Sequence, residues 1–156
     1  MYPTDKFYID GQWVEPMGKA TFTLINPADE QAYGELAMGN ADDVERAVRA
    51  ARRAFAGYSS WAPGQRVDLL ERVLSIYKRR YEEFAQAMTL EIGAPIAFSR
   101  VAQAARGSLH IEEIIRVLRG FEFDEQHGTT QIRREAIGVC GLITPWNWPI
   151  NQIVVK

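Results

Sequence analysis

The stretch "AIGVCGLIT", Ala136 to Thr144, carries no charge and almost no polar alternation. A strand of that kind is covered on both faces, as in the middle of a parallel α/β sheet. It needs neighbours, and no other segment of the chain has the same character. The reading is of an α/β chain that opens a sheet but lacks most of it.

The segments before it fall into a simple order. In "FYIDGQWV" two apolar-aromatic runs flank Asp10-Gly11, a dipeptide that supplies the positive φ angles of a tight hairpin turn. A further short β run, "TFTLI", ends at the turn signal Asn26-Pro27. The period then changes. Val44, Ala47, Val48, Ala51 and Phe55 share one helical face, behind an N-cap at Asn40 and acidic residues Asp42, Asp43 and Glu45. A second helical region runs from Pro63 to Gly93, with Val67, Leu70, Leu74, Tyr77, Tyr81, Phe84 and Met88 in one stripe. Those steps of three and four fit a coiled-coil seam. Leu69, Val73, Ile76 and Ala85 widen the stripe and favour a globular core instead. A third helical face, Ile111, Ile114, Ile115 and Leu118, ends at Gly120. From there "FEF", the polar turn "DEQHGT" and "TQIRRE" form a ribbon polar on both sides. Such a ribbon buries little by itself and reaches for another surface.

Composition narrows the function classes. The 156 residues suffice for one domain with a real core. A net charge of −2 gives no general attraction to nucleic acid or anionic lipid. No apolar run is long enough to span a bilayer, and "MYPTDKFYID" does not read as a secretory leader. The expectation is a cytoplasmic protein without nucleic-acid or membrane partners. His110 and His127 are far apart, and no metal site is expected. Glycine signatures for dinucleotides or phosphates are missing: Gly138 and Gly141 merely bracket Val139 and Cys140. Cys140, the only thiol, sits among apolar neighbours with no base beside it, so it reads as a small buried hydrophobe rather than a nucleophile. The pairs Glu82-Glu83 and Glu112-Glu113 read as solvated surface.

Asn147 stands apart. It lies between Trp146 and Trp148, with Pro145 and Pro149 outside them, just past the end of the apolar run. Two readings stay open on the residues alone. Asn is common in turns, where it tolerates the left-handed region and bonds its own backbone. Open α/β sheets also bind ligands just past their strand ends. There a fixed amide can donate two N–H bonds to an oxygen that becomes negative during reaction.

"ITPWNWP" resembles the Pro-Trp-Asn-Phe/Trp-Pro motif of the NAD(P)-dependent aldehyde dehydrogenase superfamily. "FYIDGQWV", "INPADE", "DDVERAVRAARRAF", "TLEIGAP" and "RREAIGVCGLITPWNWP" match that family in register over nearly the whole chain. "EIGAPI", "FEFDEQ" and "GLITPWNWPINQIV" look most like a bacterial branch acting on ω-semialdehydes of carboxylic acids. The resemblance implies the N-terminal portion of a protein about three times as long. It divides the chain into residues 1–120, part of a Rossmann-like cofactor domain; 121–136, a β-ribbon that mediates a homo-oligomer, dimer or tetramer; and 137–156, a first core strand with the Pro-Trp-Asn-Trp-Pro loop. In such enzymes a Cys thiolate attacks the aldehyde, hydride passes to NAD or NADP, and a Glu activates water to release the acid. The Cys, the Glu and the glycine motif are expected beyond Lys156, so the chain alone is expected to be inactive. Carried over, Asn147 is the oxyanion stabiliser. Ile143, Thr144, Pro145 and Trp146 line the nicotinamide side of the cofactor. Trp148, Val155 and His110 border the substrate tunnel. Ile25 and Glu91 match positions that can hold a structural monovalent cation, which is not expected here. The competing reading is a stand-alone binding or interaction module built on the same fold start, without catalysis.

Overall fold

The computed structural model describes residues 3–156. Asp10 and Gly11 take φ values of 56° and 77°, and the turn they make pairs β1 (Phe7–Ile9) with β2 (Gln12–Val14). The next strand, β3 (Thr21–Ile25), pairs antiparallel with β4 (Ala32–Ala37) through the Asn26-Pro27 turn, where the Asn26 side chain accepts from the Ala28 N–H at 3.0 Å. Residues 32–37 gave no strand signal, because Gly34 and Glu35 interrupt the apolar pattern.

Helix α1 (Ala41–Tyr58) starts where its cap predicts. The Asn40 side chain accepts from the N–H groups of Asp42 and Asp43, and Asp43 accepts from the Asn40 N–H in return. Asp43 also accepts from the Met17 N–H at 2.9 Å, so this carboxylate, 4% exposed, is fully occupied by backbone donors. The apolar face of α1 is only partly covered. The β1–β2 hairpin leans on Ala47, Ala50, Ala51 and Ala54, while Val44 remains exposed.

The core belongs to the helices that follow. These are α2 (Pro63–Arg79), α3 (Tyr81–Ile92), the short α4 (Ile96–Phe98), a π turn (Ser99–Gln103), α5 (Ala104–Arg119) and α6 (Pro149–Val154). Val67, Tyr77, Ala85, Met88, Ala104, Ile111, Ile115 and Ile150 are buried together, with Leu70, Leu74, Tyr81 and Phe84 against them. The predicted stripe is therefore the core, and the globular reading holds over the coiled coil. Val73 and Ile76 stay exposed and do not widen it. The single region expected from Pro63 to Gly93 breaks at Arg80, whose φ of −106° ends α2. No Pro or Gly marks that break. It lets Tyr77 stack on Phe84 at 4.5 Å while Tyr81 meets Tyr77 edge-on. Gly93 caps α3 at φ 71°, and a Cβ there would fall 2.9 Å from Pro27. That contact seats the β3–β4 turn on the end of α3.

The ribbon is an antiparallel pair, β5 (Asp124–His127) with β6 (Thr130–Arg133), tightened by Gly128 at φ 61°. Its turn is shorter than expected, and "DEQH" is strand. Cross-strand charge pairs supply the reason: Arg133 reaches Asp124 at 2.8 Å, and Arg134 pairs with Glu125.

The run Ala136–Thr144 departs most from expectation. It forms no strand, and among the described residues no parallel partner exists. A strand is stabilised only by its ladder and its covered faces, and here both are missing. Ile137 is 91% exposed and Ile143 88% exposed. Cys140 is exposed too, which corrects the expectation of a buried thiol. No helix of the described residues is long and apolar enough to cross a membrane.

Candidate functional site

The loop of interest leaves the ribbon at Arg134, whose N–H bonds the Phe123 carbonyl, and runs exposed to Asn147. Ile143, Thr144, Pro145 and Trp146 are all exposed, Trp146 by 81%. They present one continuous apolar edge with a single hydroxyl. The chain then turns sharply. Trp148 sits in the left-handed region, at φ 55° and ψ 55°, as the N-cap of α6, and Pro149 opens the helix with a missing N–H that needs no partner there. For a bulky residue that conformation costs about 1–2 kcal/mol, so something must hold it.

Three contacts do. The Trp148 ring meets Phe98 edge-on at 5.6 Å. Ile150, 8% exposed, enters the helical core. Asn151 Oδ1 accepts from His110 Nε2 at 2.7 Å, joining α6 to α5 in a partly buried setting. His110 is thus part of the same cluster as the loop. Val155 lies exposed at the end of α6, one turn beyond Asn151. Asn147 itself is exposed, and its side chain makes no hydrogen bond to another described residue. The left-handed position belongs to Trp148, so the amide of Asn147 is not spent on its own turn. Sequence reasoning missed Phe98 and Asn151. Asn151 lies one helical turn past Asn147, a spacing that could have flagged it. Phe98 carries no such signal.

Other groups contribute less. Glu91 is raised above the usual carboxylate range by burial, and Tyr33 is raised by burial and by the charge of Glu91. Among the described residues no group of three or more His, Cys, Asp or Glu could hold a metal ion. A cleft of about 820 Å³ lies elsewhere, between the α1–α2 junction and the base of the ribbon, lined by Phe55, Trp61, Arg66, Phe121 and Arg134. It contains no nucleophile beside a base.

An amide that makes no hydrogen bond to another described residue, on a stiffened loop beside an exposed apolar edge, is suited to an oxygen that gains charge. The sequence model of the aldehyde dehydrogenase family matches residues 13–156. The chain belongs to the aldehyde dehydrogenase family. It is 47% identical over 152 residues to the 3-succinoylsemialdehyde-pyridine dehydrogenase of a Pseudomonas species, a match covering 97% of this chain and 32% of that protein. Among solved structures it matches a variant of aldehyde dehydrogenase C from Pseudomonas syringae, in complex with NAD+ and octanal, with a TM-score of 0.95 and 44% identity over 98% of this chain and 32% of that one. An aldehyde dehydrogenase from Bartonella henselae gives a TM-score of 0.96 at 37% identity, covering 100% of this chain and 34% of that one. The fold is thus that of part of an aldehyde dehydrogenase. The chain spans about a third of the length of the relatives it matches.

Proposed function

We propose that these residues are the N-terminal portion of an NAD(P)-dependent enzyme that oxidises an aldehyde to a carboxylic acid, and that Asn147 is its oxyanion donor. The observation that carries the reading is the free amide of Asn147, on a loop stiffened by Pro145 and held from below at Trp148. When an aldehyde is attacked, its carbonyl oxygen becomes anionic. An amide N–H that meets that oxygen stabilises the charge more than it stabilises the neutral carbonyl, which is what lowers a barrier. The turn-residue reading asks Asn147 to bond its own backbone, and it does not.

The exposed edge Ile143 to Trp146 fits the flat face of a nicotinamide: apolar area is open to be covered, and Thr144 offers a hydroxyl. When bound, NAD(P)+ supplies the hydride acceptor. Trp148, His110 and Val155 would shape the approach of the aldehyde. The semialdehyde in the name of the Pseudomonas relative supports an ω-semialdehyde as the substrate class. The ribbon at residues 121–136, polar on both sides and two-stranded, would pair with another subunit of a cytoplasmic dimer or tetramer.

The test uses the complete enzyme. Asn147→Ala lowers kcat by about 10²–10³, the usual effect of removing one oxyanion donor, with a smaller change in KM for the aldehyde. Asn147→Asp is at least as damaging. A folded Asn147→Ala enzyme within about twofold of the parent's kcat, against that expectation, ends the assignment. Reading the source DNA past Lys156 for a glycine-rich segment and a later Cys separates this function from a stand-alone interaction module.

A further inference from the structure

We infer that His110 is a positioning residue for the Asn147 loop, acting through its hydrogen bond to Asn151. The mechanical part stands on geometry alone. Its catalytic consequence rests on the reading of Asn147 given above.

Among the described residues the loop is held from one side: from Glu135 to Asn147 the backbone makes no hydrogen bond to the rest of the described fold, and every residue but Gly138 is exposed. All the anchors lie after Asn147. Trp148 meets Phe98 edge-on, and Ile150 and Val154, one turn apart, pack on the core; these contacts seat α6 and choose its buried face. The bond from His110 Nε2–H to Asn151 Oδ1, 2.7 Å long, is the one side-chain hydrogen bond between α5 and α6. It is directional, so it sharpens the rotation of α6 that the apolar contacts set. That rotation decides whether Trp148 can stay in the left-handed region, because a strained backbone persists only when its surroundings over-determine it. Asn147 is the next residue. If α6 turns, Trp148 relaxes and the amide of Asn147 points elsewhere. The bond also fixes the imidazole: an amide oxygen only accepts, so Nε2 carries the proton.

The experiment begins with the 156-residue chain. Nitrogen-15 spectra of His110 are expected to show Nε2 in a hydrogen bond; an Nε2 free of any hydrogen bond to Asn151 overturns the proposal without any variant. Three variants follow: His110→Phe keeps the ring bulk without the donor, Asn151→Leu removes the acceptor, and His110→Gln keeps a donor at similar reach. In His110→Phe and Asn151→Leu the Trp148–Phe98 nuclear Overhauser contact and the Trp148 HN–Hα coupling change. The Tyr77–Phe84 contact in the core stays. The double variant is no worse than either single one, and His110→Gln restores most of the change. Retention of the Trp148–Phe98 contact in both single variants sinks the idea. In the complete enzyme His110→Phe lowers kcat about tenfold, since misplacement of ~1 Å can cost as much as 10²-fold, with KM for NAD unchanged. A lost anchor with kcat unchanged overturns the catalytic half. If Asn147→Ala still lowers kcat in that assay, the oxyanion reading itself survives.

Discussion

Gly107 offers a sharp test of the packing described above, because helix propensity and the structure predict opposite signs. It lies in α5 facing Tyr77. A Cβ added there would collide with the Tyr77 hydroxyl oxygen and Cζ, well inside ordinary contact, which begins at 3.4 Å. The ring cannot retreat. It is 5% exposed, it stacks on Phe84 at 4.5 Å, and its hydroxyl donates to the Ala104 carbonyl at 2.7 Å. Forcing the ring aside costs about 1–3 kcal/mol as overpacking, and losing the buried hydrogen bond adds about 0.5–1.5 kcal/mol. Replacing Gly by Ala inside a helix returns only about 0.5–1 kcal/mol. Gly107→Ala is therefore expected to destabilise the chain by about 2 kcal/mol. Gly57→Ala in α1, where a Cβ meets nothing within 4 Å, is the control and should stabilise by about 0.5–1 kcal/mol. Urea unfolding followed by circular dichroism measures both. In a Tyr77→Leu background the Gly107→Ala cost should vanish, which identifies the ring as its cause. A second readout is the phenol, which burial pushes up to about 12. Displaced toward water in Gly107→Ala, it titrates closer to its ordinary value. A Gly107→Ala chain as stable as the parent refutes the argument.

Glu82 is held down to about 2 by its hydrogen bonds to Arg100 and Gln86, so what this carboxylate adds to stability is present above the ordinary carboxylate range and is lost as pH falls toward about 2. Carbon-13 titration should show Arg100→Gln moving Glu82 up toward its ordinary value; no movement would show that the pair does not form in solution. Cys140 in the 156-residue chain should react with a disulfide reagent nearly as fast as it does in denaturant, and strong protection would mean that the run Ala136–Thr144 is covered after all. Replacing Ile137 and Ile143 by Ser should lower binding of a hydrophobic dye without lowering Tm, since neither side chain packs on the core. A fall in Tm of several degrees would contradict their exposure.

What the sequence made legible is what depends on near neighbours. The cap of α1 needed only Asn40 and Asp43, and the first hairpin only Asp10 and Gly11. The stripe from Val67 to Met88 reported the core because a helical face carries its own period. The break at Arg80 was hidden, since it is set by how Tyr77, Tyr81 and Phe84 pack and not by any residue at the break. The run Ala136–Thr144 was misjudged for the reverse reason: its composition describes a covered strand, and among the described residues nothing pairs with it. In the candidate site Asn147 stood out through the residues beside it. The His110–Asn151 bond spans 41 positions, and only the packing of α6 on α5 brings that pair together.

The position of the loop follows from this unevenness. The helices α2, α3, α5 and α6 close a core of their own, while Ile137, Ile143 and Trp146, on the run leading to Asn147, are 91%, 88% and 81% exposed. Asn147 stands at the boundary. Behind it, Trp148, Ile150 and Asn151 tie the chain to packed helices; ahead of it, Trp146 and Ile143 face outward. An amide set at such an edge gains its orientation from the packed side and leaves the other side free. Preorganised donors lower a barrier because they need not reorient when charge appears.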